Sequence, residues 1–183
     1  MAGAPIRRVV TGTTSEGKAI IASDEVIEGE TIAMMPGAAF AGIWGSDTPP
    51  VLPTTGNEPA HTSWFPPATG YRVQQIVIPP SATPPPPGVD MAEAAAEAER
   101  KLPGLLAHMD PKHPGMHKTE TIDFVYVMSG RCVVELEGGA TTKLGPGDIL
   151  IQNGTRHAWR VPYDEPCTVL SISIGAPATD APT

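Results

Sequence analysis

The stretch HPGMHKTETIDFVYVMSG, residues 113–130, decides the fold together with PGDILIQNGTRHAW, residues 146–159. Three of the chain's five histidines, His113, His117 and His157, lie in these two short segments. Side chains alternate faces along an extended chain, so His117, Thr119, Thr121 and Asp123 share one side while Lys118, Glu120 and Ile122 share the other. In the second segment His157, Trp159 and Val161 share a face, and Arg156 and Arg160 take the opposite one. If the two strands are neighbours in one barrel, two imidazoles and a carboxylate converge inside it.

The surroundings are strand-like. From Met116 onward TIDFVYVMSG, RCVVELEGG, TKLGPGDILIQ, RHAWRVPY and PCTVLSISIG alternate with glycine-containing turns at short, regular spacing. That pattern predicts a small antiparallel barrel or sandwich. Upstream, RRVVTG and KAIIASD predict a hairpin about the turn TTSEG, with further strands at AFAGIW and YRVQQIVIPP. A proline- and glycine-rich surface loop is expected over 46–70. Four successive prolines, Pro84 to Pro87, predict a stiff connector. Asp90 then caps an alanine-rich helix reaching about Lys101, expected to act as a lid or edge cover.

These two segments resemble the paired motifs of the cupin superfamily. His117, Thr119, Asp123 and Gly130 fall on the first motif's positions, with Thr119 where the family usually has its second histidine. Gly147, Asp148, Gly154 and His157 fall on the second motif's, with Gln152 in place of a proline. The resemblance implies an all-β, cupin-type jelly-roll β-barrel with extra N-terminal strands and one short helical insertion. The chain is read as a single domain: N-terminal strands and proline-rich loop over 1–80, proline linker and helix over 81–115, motif strands over 116–175, and a disordered tail over 176–183.

The resemblance also implies one divalent metal ion, Fe(II), Mn(II), Zn(II) or Ni(II), held by His117, Asp123 and His157, with Thr119 or water completing the shell. Glu120 and His113 are the alternative recruits. Two imidazoles and a carboxylate suit such ions and leave open positions for substrate and oxygen. The expected activity is therefore oxygenase or dioxygenase chemistry on a small aromatic or polyketide-like compound, an oxidoreductase. Metal-free acid/base catalysis by the same residues, as in an isomerase, lyase or decarboxylase, and a non-catalytic binding barrel are the alternatives. Trp159, Arg72 and Tyr126 are the expected substrate contacts.

Composition narrows the partners. A formal net charge of −8, with only twelve Lys and Arg scattered along 183 residues, argues against a nucleic-acid or anionic-membrane surface. The most apolar stretch, TIAMMPGAAFAGIWG, is interrupted by Pro36 and glycines and is shorter than the roughly 20 residues of a membrane-spanning helix. No signal-like run follows Arg7 and Arg8, so a cytoplasmic protein is expected. Cys132 and Cys167 are read as buried free thiols. The hairpin's exposed edges predict a homodimer.

Overall fold

A computed structural model describes residues 4–84 and 87–178. The order is β1 Ile6–Thr13, β2 Ala19–Ile27, β3 Ala39–Ser46, β4 Tyr71–Ile78, α1 Met91–Lys101, a 3-10 turn Leu106–His108, β5 Thr121–Ser129, β6 Cys132–Leu136, β7 Thr141–Leu144, β8 Ile149–Asn153, β9 His157–Arg160 and β10 Cys167–Gly175. The strands form a five-stranded antiparallel sheet, β3-β4-β10-β5-β8, a three-stranded sheet, β7-β6-β9, and the separate hairpin β1-β2. The fold is all-β and of the cupin type expected.

The extra N-terminal strands are those of the β1-β2 hairpin, while β3 and β4 belong to the five-stranded sheet. The hairpin is fastened to its own chain. Arg8 donates to the Ile43 carbonyl at 2.7 Å and to Glu58 at 2.5 Å, and Thr13 N–H donates to the Thr54 carbonyl at 2.8 Å.

Helix α1 is also more than a cover. Asp90 accepts from the amides of Ala92 and Glu93 at 2.8 and 3.2 Å, satisfying two of the unpaired donors at the helix start. Ala94 and Ala98 are buried, their small side chains allowing close approach, and Leu102 just beyond the helix enters a core cluster with Ile32, Phe40, Trp64 and Leu105. Glu97 accepts from the Ala33 amide at 2.8 Å, and Lys101 donates to the Thr31 carbonyl at 2.7 Å. These contacts stitch the helix to the turn before β3.

A second cluster is built on Val125, Val127, Val161, Val169 and the two cysteines, and Ile76 packs against both clusters. Cys132 and Cys167 are both buried and free. The Cys167 thiol and burial push the Cys132 thiol up, so it stays protonated and unreactive.

The 46–70 loop, expected at the surface, sends its last part inward. Trp64 is buried, its amide donates to the Pro103 carbonyl at 2.8 Å, and its carbonyl accepts from the Gln74 side chain at 2.7 Å. Pro85 and Pro86 of the expected stiff connector lie outside the described residues, as does 179–183 of the expected tail. Ala176 is held, its amide donating to the Glu120 carbonyl at 2.9 Å. Among the described residues no helix is long and apolar enough to cross a membrane.

Candidate functional site

The first motif is not one continuous strand. His117 pairs antiparallel with His157 at the end of β9, in the three-stranded sheet, whereas Asp123 lies on β5, in the five-stranded sheet. The chain therefore changes sheets between His117 and Thr121, with Thr119 at the corner. The imidazole pair and the carboxylate are thus held by different sheets and line the same cavity.

His117 and His157 exchange both main-chain hydrogen bonds, each at 2.9 Å, and their rings stack at a tilt with centroids 4.2 Å apart. Ring orientation is set from behind. Nδ1 of His117 lies 3.1 Å from the Gly115 carbonyl, to which it donates, leaving Nε2 with a lone pair. Nδ1 of His157 sits 2.9 Å from the Thr155 carbonyl and 2.8 Å from the Gln152 side-chain amide. Gln152 was visible in the sequence only as a replaced proline. Its register partner is Asp123, so it faces inward and braces His157.

Burial makes these groups hard to charge. Desolvation, then the neighbouring His157, push His117 down to about 4, against the opposing pull of the Gly115 carbonyl and Asp123. Burial lowers His157 as well, opposed by the Thr155 carbonyl. Burial raises Asp123 above the ordinary carboxylate value, with the Ser173 and Thr121 hydroxyls and His117 pulling it back. Asp123 Oδ1 is buried and has no hydrogen-bond partner. A buried acceptor left unpaired is costly, which marks it as a place for a ligand's donor.

These groups line a cavity of about 150 Å³ between the two core clusters. Phe40, Trp64, Phe65, Ile76 and Trp159 give it a mainly apolar wall. A dry cavity of about that size admits one benzene-sized ring. Trp159 stands where the sequence placed it, meeting the His157 ring edge to face at 6.2 Å. Phe65, from the end of the proline-rich loop, stacks on His117 at 6.5 Å, a contact with no signal in the sequence.

Two expected substrate contacts are elsewhere. Tyr126 is 44% exposed, because even-numbered residues of β5 point out of the barrel. Arg72 is buried, but lines a separate, more open cleft of about 310 Å³. Its guanidinium is engaged by the Ser63 carbonyl at 3.0 Å, the Ser46 and Tyr71 carbonyls at 2.9 Å each, and Asp47 at 2.5 Å. Arg72 fastens the loop to β4 and has little capacity left for a substrate carboxylate.

His117, Asp123 and His157 of the expected metal set line the same cavity. Two imidazoles and a carboxylate with a free oxygen are suitable donors. Yet among the described residues no three His, Cys, Asp or Glu side chains come together as a group able to hold a metal ion. The hydroxyl of Thr119 is occupied by Thr121 at 2.7 Å. The alternative recruits do not fill the gap: Glu120 is exposed, and His113 is turned outward to Asp110 at 2.7 Å.

Residues 105–173 match the Cupin_2 family, described as a cupin domain. Over 63 residues the chain is 43% identical to Oryzines biosynthesis cluster protein J of Aspergillus oryzae, covering 32% of this chain and 35% of that protein. Over 64 residues it is 39% identical to Phomopsin biosynthesis cluster protein C' of Diaporthe leptostromiformis, covering 32% and 34%. The chain thus matches about a third of the length of these relatives. Among solved structures, a Cupin 2 conserved barrel domain protein from Salinispora arenicola aligns with a TM-score of 0.36 at 17% identity, covering 58% of this chain and 64% of that one. The paired motifs, the two facing sheets and the family match agree on one assignment: this chain carries a cupin-superfamily domain, matched over residues 105–173.

Proposed function

We propose that the protein is an acid/base catalyst, or proton-transfer enzyme, acting on one small, ring-sized organic molecule. The observation that carries this reading is a neutral imidazole pair and a partnerless buried carboxylate oxygen lining one small, mainly apolar cavity. The partial likeness to proteins named for biosynthesis clusters agrees with a small-molecule substrate.

In this reading a carbonyl or hydroxyl compound enters with its apolar body against Phe40, Ile76 and Trp159. Its hydroxyl or enol donor satisfies Asp123 Oδ1, and His117 Nε2 takes the proton that leaves carbon or oxygen. Gln152 and Thr155 hold His157 beside it. Burial keeps His117 uncharged and so open to a proton at neutral pH, while the same burial weakens it as a base. Isomerisation and elimination of an enolisable substrate both draw on this step. The competing reading is an oxygenase with a divalent ion on His117, Asp123 and His157, which line the same cavity.

The test is deuterium incorporation beside the carbonyl of cyclohexanone, followed by proton NMR in D2O with chelator-treated protein. Exchange above the buffer rate, falling about 100-fold in His117→Ala, is the expected result. Exchange or turnover that appears only after adding Fe(II), Mn(II), Zn(II) or Ni(II) overturns it in favour of the metal reading. Saturable binding with no exchange under either condition leaves a binding barrel.

A further inference from the structure

The sequence HPGM, residues 113–116, sets a proline before a glycine, the pair that favours the two central positions of a type II turn. The structure forms that turn. The Met116 amide donates to the His113 carbonyl at 2.9 Å across Pro114 and Gly115, and Gly115 has φ +79°, the left-handed value its position demands. A type I turn differs chiefly by a flip of the peptide between those two residues, whose oxygen is the Pro114 carbonyl. Whatever holds that oxygen selects the turn.

Arg160 holds it. From β9 its Nη1 donates to the Pro114 carbonyl at 2.8 Å, while its Nε donates to Glu135 of β6 at 2.8 Å. The guanidinium also lies against the glycine, since a methyl group on Gly115 would fall 3.1 Å from Nη1. The turn has little else to restrain it. Residues 111–115 are exposed, and among the described residues only two side chains from beyond 109–117 bond to 110–115: Arg160, and Arg156, which pairs with Asp110. The other bonds of Asp110 are local, to the Lys112 amide and to His113 Nδ1, at 2.7 Å each.

What the turn carries is the next carbonyl. Gly115 lines the cavity, and its oxygen accepts from His117 Nδ1 at 3.1 Å. A neutral imidazole bears its proton on one nitrogen only, and the hydrogen bond made by one nitrogen decides the state of the other. A flip of the 114–115 peptide reverses the sign of φ at Gly115 and so moves its carbonyl relative to the ring. With Nδ1 released, the ring also populates the form protonated on Nε2, which has no lone pair there to offer.

We propose that Arg160 is a positioning residue for His117: by gripping the Pro114 carbonyl it keeps the turn in its type II form, and the Gly115 carbonyl then keeps the His117 proton on Nδ1 and leaves Nε2 free to accept. Arg160 does not line the cavity and acts only through the turn. Its effect on rate rests on the acid/base reading above, whereas its effect on the ring's tautomer does not.

The experiment is nitrogen NMR of the histidine rings in the chelator-treated full chain at neutral pH, for wild type, Arg160→Met and Arg160→Lys, with the His117 signals identified by their loss in His117→Phe. Wild type is expected to show Nδ1 protonated and Nε2 bare. Arg160→Met is expected to shift the tautomer ratio towards Nε2–H by about 2- to 10-fold, the worth of one hydrogen bond, and Arg160→Lys, which keeps a donor for Pro114, to restore most of it. Deuterium incorporation into cyclohexanone then falls in the same proportion through kcat, with KM unchanged. Should Arg160→Met lose its native circular dichroism, Gly115→Ala tests the same link by crowding the guanidinium and straining the turn. A wild-type ring protonated on Nε2 overturns the proposal, as do His117 signals left unmoved in the folded variant. A tautomer that responds in a protein without exchange activity sustains this inference and sinks only the acid/base reading.

Discussion

His117 and His157 are each other's main-chain partners, with two 2.9 Å hydrogen bonds, and their rings lie 4.2 Å apart in the barrel. Neither ring can take a proton without charging a desolvated pair, so acid acts on the fold before it acts elsewhere. The unfolded chain protonates His117 near 6.5, while the native state holds out until about 4. Between those values the unfolded state binds more protons, and stability rises with pH. The contribution is fully present above about 6.5 and worth up to about 3 kcal/mol. The lowered His157 acts in the same direction. Thermal unfolding followed from pH 4 to 7 is expected to show a rising Tm that levels above pH 6.5, and the slope is expected to shrink in His117→Phe.

Asp123 acts in the opposite sense. Its native carboxyl is raised, so its favourable contribution belongs to low pH and is lost as pH rises through that raised value. At neutral pH the buried, partnerless oxygen is a net cost. Asp123→Asn is expected to stabilise the protein at pH 7 by about 1–3 kcal/mol while removing proton transfer. Denaturant midpoints at pH 7 check the first part and deuterium incorporation the second. A loss of stability would place Asp123 in a bonded network instead.

Arg72 is expected to matter for folding and little for substrate affinity. Arg72→Met removes hydrogen bonds to three carbonyls and to Asp47. The expected cost is about 3 kcal/mol, with faster proteolysis within 47–62. Urea unfolding and limited digestion measure both. Ligand affinity that falls with stability unchanged would restore a binding role.

Ala98 has no exposed surface on the helix face that meets the core. Ala98→Leu is expected to cost about 1–3 kcal/mol by overpacking against the Phe40 and Leu102 cluster. A neutral result would return the helix to the role of a loose cover. The measurement is the denaturant midpoint.

Much of this was legible because two rules are local. Alternation along extended chain placed Asp123, Thr119 and Trp159 inside, and turn residues located most of the strands. The same alternation counted outward places Tyr126 on the surface. The change of sheet between His117 and Thr121 was not legible: it depends on long-range pairing with β9 on one side and with β8 and β10 on the other. Nor could Arg72's occupation be read, since Asp47 and Ser63 come from a loop without periodicity and Ser46 from the very end of β3. The helix misled for a related reason. Alanine looks like a weak contributor to burial, yet its small size is what lets the helix axis approach the core.

The sheet change has one more consequence. Because residues 118–120 carry the chain from one sheet to the other, the imidazole pair and Asp123 are fixed to different sheets around one cavity. An occupant that wedges the sheets apart also parts the proton acceptor from the carboxylate, and one too slender to touch both sheets meets only one of them. Size discrimination and chemical alignment are then a single dimension of the molecule, gauged by the same cavity.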